Sequence, residues 1–123
     1  KIVLNLTNVA ETHASDDVLV HGLLSSKDLL MLYNSCDLLY INSESESVSL
    51  PVFEAWQFGM LVGCSNYGWS VSQSKNGELC LLNRTNDFEG FAELIDKVHT
   101  NDEIKMREKA QELLLKQTSK FWL

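Results

Sequence analysis

Apolar positions along the chain fall into short β-branched runs that alternate with stretches of helical period. Ile2 to Leu6 and Val18 to Val20 are two such runs, and the polar stretch Thr7 to Asp17 between them predicts strand, loop, strand. After His21-Gly22, Ser25 and Asp28 stand at capping-box spacing ahead of Leu29, Leu30, Leu32, Tyr33 and Cys36, which share one helical face. Asp37 to Ile41 predicts a strand, followed by the polar loop Asn42 to Ser49 and a helix opened by Pro51 that runs to about Phe58. Proline suits a first helical position, where its missing N–H has no helical partner to lose. Gly59 ends that helix, and Met60 to Cys64 predicts the next strand. A loop rich in Gly, Ser and Asn follows, turning at Lys75-Asn76-Gly77, and then a short strand around Leu79 to Leu82. Asn86 and Glu89 predict the cap of a helix whose apolar face is Phe88, Phe91, Leu94, Ile95 and Val98. Asn101 starts a last helix reaching roughly Lys116, ahead of an aromatic tail at Phe121-Trp122.

Strands alternating with helices of this length predict an α/β fold, a Rossmann-like doubly wound parallel sheet covered on both faces. In such a sheet ligands bind at the carboxyl ends of the strands, where loops lead into helices, and Asn42 to Ser49 is the richest of these loops. With 123 residues, 45% of them hydrophobic, the chain is sized for one core, so a single domain over residues 1–123 is expected.

The formal net charge of −7 and the scatter of the ten Lys and Arg residues exclude a duplex or an anionic membrane as the main partner. The loose basic cluster Lys105, Arg107 and Lys109 falls on an expected exposed helix face. Acidity does not exclude a nucleotide, because backbone amides at a helix N-terminus hold phosphate without side-chain cations. Cys36, Cys64 and Cys80 are far apart and flanked by apolar residues, which predicts buried thiols of a reduced compartment and a cytoplasmic setting. His13, His21 and His99 lie apart from one another and from the cysteines, so no metal ligand set is expected.

The segment around Asn42 to Trp56 carries the candidate chemistry. It places Glu46 at the mouth of a strand and Glu54 in the first turn of the following helix, with a serine-rich turn between them. Amides near Val48 to Leu50 and the helix N-terminus would face a diphosphate, while two carboxylates accept hydrogen bonds from sugar hydroxyls. A solvated acidic turn is the competing reading of Glu46, and helix-dipole stabilisation that of Glu54. Trp56 and Phe58 are expected in core packing or a domain contact. Trp69 is expected in a loop within reach of a sugar.

Glu46-Ser-Val-Ser-Leu-Pro-Val-Phe-Glu54-Ala resembles the Glu-Gly-x-Gly-Leu-Pro-x-x-Glu-Ala signature of the retaining GT-B glycosyltransferases, the glycosyl transferases group 1. Val18-Leu-Val-His-Gly22, Leu32-Tyr33-x-x-Cys36-Asp37 and Phe58-Gly59-Met60-Leu61-Val62 resemble the family's flanking pieces, in order and at its spacing, so that the resemblance covers about residues 18 to 117. It implies the C-terminal, donor-binding half of a GT-B fold, with the acceptor domain and the start of this domain lying outside the chain. Glu46 is implied to contact the donor sugar, the amides of Ser47, Val48, Ser49 and Leu50 the sugar and diphosphate, and Glu54 the ribose hydroxyls. Gly22, Leu23 and Leu24 are implied to pass beside the base. The implied reaction transfers a sugar, with retention, from a nucleotide-sugar to a polysaccharide or glycolipid acceptor, with no metal or other cofactor.

Serines at 47 and 49 stand where the family usually has glycines, and the cations it uses for the diphosphate belong to an upstream segment. Those departures keep open a second reading, a non-catalytic GT-B-like interaction or partner-subunit module. The isolated chain is expected to bind donor weakly, to transfer almost nothing, and to self-associate through its Trp and Phe residues. Any membrane contact of the parent protein is expected to run through another domain.

Overall fold

A computed structural model of the chain describes residues 4–7, 18–84, 87–98 and 100–122. Contacts divide the chain into two compact units, Lys1–Ser35 and Cys36–Leu123. In the first unit, strands β1 (Leu4–Thr7) and β2 (Val18–Gly22) pair in parallel from Leu4↔Val18 to Thr7↔Gly22, with a register shift between Leu6 and Thr7. Helix α1 (Ser26–Ser35) starts where the capping pattern placed it: the Ser25 hydroxyl accepts the Asp28 N–H at 3.2 Å, and the Ser25 carbonyl accepts the Leu29 N–H at 2.9 Å. Ile2, Val3 and residues 8–17 of the predicted strand and loop lie outside the described residues.

The second unit runs β3 (Leu38–Ile41), α2 (Leu50–Gln57), β4 (Leu61–Ser65), α3 (Gly68–Gln73), β5 (Leu81–Asn83), α4 (Phe88–Asp96) and α5 (Asn101–Trp122). Its three strands pair in parallel in the order β3-β4-β5. All five residues of β4 are buried, as expected of a central parallel strand covered on both faces. Helices flank this parallel sheet, and the fold is α/β and Rossmann-like, as the alternation predicted.

Helix α2 buries Val52, Ala55 and Trp56 and contacts β4 and α5. Trp56 meets Phe53 edge to face, with ring centroids 5.5 Å apart. The helix stops in a Schellman arrangement: the Gly59 N–H donates to the Trp56 carbonyl, the Met60 N–H to the Ala55 carbonyl, and Gly59 takes a φ of +67° that a side chain would strain. Gly63 has a different job. It sits opposite Tyr40 in the β3–β4 ladder, and a Cβ at this position would lie 2.9 Å from the Tyr40 ring. That space lets the ring reach α4, where it meets Phe91 edge to face at 4.9 Å.

Four expectations need correction. The segment after β4 is not all loop, because residues 68–73 form α3 and bury Trp69 and Ser70. The Ser70 hydroxyl both accepts the Tyr67 N–H and donates to the Ser65 carbonyl, so a polar-looking stretch caps itself into a helix turn. The last strand is Leu81–Asn83 rather than Leu79 to Leu82, with Leu79 and Cys80 buried just before it. Asn86 lies outside the described residues, and the cap of α4 is Asp87, whose carboxylate accepts the Gly90 N–H at 2.9 Å. Helix α5 continues past Lys116 to Trp122.

Of the three thiols, Cys64 and Cys80 are buried and Cys36 is partly exposed. A hydrogen bond with Cys64, together with burial, pushes the Cys80 thiol up from its usual range. Among the described residues no helix is long and apolar enough to cross a membrane, and no group of three metal-ligating side chains gathers.

Glu103, in the first turn of α5, is buried, and its Oε2 has no hydrogen-bond partner. Burial raises its pKa, Asp102 adds to the rise, and Lys97 opposes it. A carboxyl whose folded pKa is raised destabilises the fold when ionised, so stability falls as pH climbs from the ordinary carboxylate range through the raised value. Glu103→Gln is therefore expected to raise Tm at pH 7, with the gain over wild type shrinking as pH falls from the raised value into the ordinary carboxylate range. Gly63→Ala is expected to cost about 1–3 kcal/mol in denaturant unfolding, through overpacking against Tyr40.

Candidate functional site

The loop from Asn42 to Ser49 leaves the carboxyl end of β3 and feeds α2, and side chains from the β4–α3 segment hold it at both ends. Near its start, the Ser43 carbonyl accepts the Trp69 indole N–H at 2.8 Å and the Ser65 hydroxyl at 3.2 Å. Ser65 also donates to the Ile41 carbonyl at 3.4 Å, which ties the last residue of β4 to the last of β3. At the far end, the Gln73 amide spans Ser49: its Oε1 accepts the Ser49 N–H at 2.9 Å, and its Nε2 donates to the Ser49 carbonyl at 2.9 Å.

Between these two anchors Glu44 to Val48 form an exposed arch. Ser47 and Val48 also line a cavity of about 230 Å³ with Phe53, Trp69, Gln73 and Lys75 among its other walls. Glu46 and Glu54 are both exposed, as is Leu50 at the start of α2. Glu54 is the fifth residue of α2, because the helix begins at Leu50, so no acidic residue stands in its first turn. That weakens the helix-dipole explanation for Glu54, whose effect fades beyond the first turn.

The six positions Glu46, Ser47, Val48, Ser49, Leu50 and Glu54 thus share one loop and the helix it opens. Gly22, Leu23 and Leu24 belong to the first unit, where Gly22 ends β2 and Leu23 is 88% exposed. Of the histidines, His21 lies in β2, while His13 and His99 fall outside the described residues.

Neither serine forces the arch out of shape. Among the described residues the non-glycine positions with positive φ are Lys75 and Asn76, so the backbone at Ser47 and Ser49 does not call for glycine. Ser49 is the residue preceding α2, at φ −89° and ψ 109°, yet its hydroxyl does not cap the helix. That hydroxyl is buried and has no hydrogen-bond partner.

A larger cavity of about 350 Å³ lies along β5 and α4, lined by Asn66, Asn83, Arg84, Asp87 and Lys97 among others. Two of its polar side chains are engaged within the fold: Asn83 Nδ2 donates to the Asp87 carbonyl and the Tyr40 hydroxyl, and the Asp87 carboxylate caps α4. The arch at the carboxyl end of β3 is the better candidate, because its exposed carboxylates and helix N-terminus face solvent.

Sequence reasoning missed Ser65, Trp69 and Gln73 as the holders of this loop. The segment after β4 read as a loop rich in Gly, Ser and Asn, and without α3 there was no reason to bring residues 69 and 73 back against 43 and 49.

A parallel α/β sheet flanked by helices, with an exposed loop leading into a helix at a carboxyl strand end, defines a Rossmann-like fold. Residues 6–113 match the family described as Glycosyl transferases group 1, and the chain belongs to that family. No curated protein sequence matches the chain. Among solved structures it is similar to a glycosyltransferase from Rickettsia africae ESF-5, with a TM-score of 0.67 and 24% identity over 82% of this chain and 27% of that one. It is also similar to the Anabaena protein HepE in complex with UDP-glucose, with a TM-score of 0.71 and 20% identity over 81% of this chain and 28% of that one. The chain therefore spans less than a third of the length of either structure, and both similarities concern the fold.

Trp69→Phe removes the indole donor to Ser43 while keeping most of the ring's burial. The expected result is a loss of about 1 kcal/mol in stability, with faster amide exchange concentrated in residues 42–49. Unchanged exchange in that loop would show that the Trp69 bond does not hold it.

Proposed function

We propose that this chain is the nucleotide-sugar donor-binding domain, the C-terminal half, of a retaining GT-B glycosyltransferase acting on a polysaccharide or glycolipid acceptor in the cytoplasm. The observation that carries the reading is the arch itself, where Glu46 and the start of α2 stand exposed together at the carboxyl end of a parallel strand. Family membership and the likeness to a protein solved with UDP-glucose support it.

In this reading Glu46 meets the donor sugar as the catalytic-site carboxylate, and Glu54 accepts hydrogen bonds from the ribose hydroxyls. The N–H groups of Ser47, Val48 and Leu50 serve the diphosphate, assisted by the dipole of α2. Stabilising the charge that develops on the leaving diphosphate is the domain's contribution to transfer, and no cofactor is required of it. Gly22, Leu23 and Leu24 pass beside the base. The acceptor site belongs to an N-terminal partner domain.

Two observations favour the second reading, a non-catalytic GT-B-like module. The Ser49 N–H, which the motif assigns to the donor, is spent on Gln73, and residues 42–49 include no cation.

A titration of the chain with nucleotides and nucleotide-sugars by ligand-observed NMR separates the two. The donor reading expects a nucleoside diphosphate to bind more tightly than its monophosphate. It also expects Glu54→Ala to weaken binding about ten- to a hundredfold, in line with the ~1.5–3 kcal/mol of a hydrogen bond to a charged group. A folded chain that binds none of the panel, or binds with no regard to Glu54→Ala, would overturn the donor reading and leave the module.

A further inference from the structure

Gln73 lies 24 residues beyond Ser49 in sequence, on a helix of its own, yet its side-chain amide engages both backbone groups of Ser49 at 2.9 Å. The two bonds run in opposite directions, so the amide closes a ring with the peptide groups of the residue just before α2. The carbonyl it engages is the one placed to accept the first backbone N–H of α2. In α1, α3, α4 and α5 the corresponding carbonyl, of Ser25, Tyr67, Asp87 and Thr100, accepts an N–H of the helix it precedes. At α2 the Ser49 hydroxyl, the usual capping group, is buried without a partner, so Gln73 rather than the serine fixes the turn.

We propose that Gln73 is a positioning residue for the donor loop. By holding both peptide groups of Ser49 it sets the direction in which the arch enters α2, and so where the N–H groups of Ser47, Val48 and Leu50 point. It also removes the Ser49 N–H from the set that can reach a phosphate. This inference rests on the donor reading above, since a fixed arch matters here for what the arch binds.

The test compares the full chain with Gln73→Met and Gln73→Glu, using UDP and inorganic pyrophosphate as probes. Gln73→Met keeps the length and loses both bonds. It is expected to expose the Ser49 amide to fast exchange and to weaken UDP and pyrophosphate binding about tenfold, while the sheet amides of β4 stay protected. Gln73→Glu retains the acceptor for the Ser49 N–H, but as a carboxylate it has no proton for the Ser49 carbonyl. Protonation restores that donor. Binding by Gln73→Glu, taken relative to wild type at each pH, is therefore expected to be weak at neutral pH and to recover as pH falls through the carboxylate range. A purely structural role would not produce that profile, and taking the ratio to wild type removes the titration of the probe itself.

If wild type binds UDP and both variants bind it equally well at neutral pH, Gln73 does not position the loop and the donor reading survives. A ratio for Gln73→Glu that stays flat with pH also overturns the proposal. If wild type binds neither probe, the donor reading falls and takes this inference with it.

Discussion

The end of β4 and the short helix after it hold a loop to which they do not belong. Ser65 and Trp69 meet at the Ser43 carbonyl, and Gln73 closes on Ser49, so residues 43 and 49 are fixed while the arch between them stays exposed. Each of these bonds is worth only about 1 kcal/mol net, but losing one partner leaves a buried group unpaired at about 1–3 kcal/mol. That asymmetry makes the arrangement specific. The loop has few other ways to satisfy its ends, whereas Glu44, Glu46 and Ser47 are free to meet whatever approaches from solvent.

The hold works because the sheet places its parts. Parallel pairing of β3 with β4 brings Ile41 opposite Cys64 and sets Ser65 beside the exit of β3. Gly63 lets the Tyr40 ring cross the sheet to Phe91, and the Tyr40 hydroxyl accepts the Asn83 amide at 3.4 Å, so the ends of all three strands are linked by side chains as well as by the ladder. Burial of β4 on both faces then gives the carboxyl edge a rigid base.

The parts of this architecture with local causes were legible in the sequence. The alternation of apolar runs placed β3, β4 and α2, the Ser25-to-Asp28 spacing placed α1, and Gly59 marked the end of α2. The spacing of Glu46 and Glu54 put both carboxylates on one loop-helix unit. What stayed hidden depends on distant partners. Helix α3 is six residues of Gly, Trp, Ser, Val and Gln with little helical period, and it exists because Ser70 finds Tyr67 and Ser65, and Trp69 finds Ser43. The bond between Gln73 and Ser49 leaves no local trace at all. Most strand and helix ends slipped by a residue or two, as termini commonly do, α5 ran on from Lys116 to Trp122, and Asp87 took the capping role given to Asn86.

A helix of six residues has too few internal bonds to persist by itself. Its survival depends on the same contacts that it supplies to the loop, so the two elements form one cooperative patch resting on the sheet. Native proteins open in such patches at free energies below that of global unfolding. Fraying of α3 would therefore release the Gln73 hold on Ser49 and the Trp69 bond to Ser43 together, while β3, β4 and β5 remained paired and Ser65 kept its bond to the Ser43 carbonyl. The far end of the arch would come loose in a single step, and because α2 and the sheet stay folded, only the short stretch from Ser65 to Gln73 would have to close again to restore it.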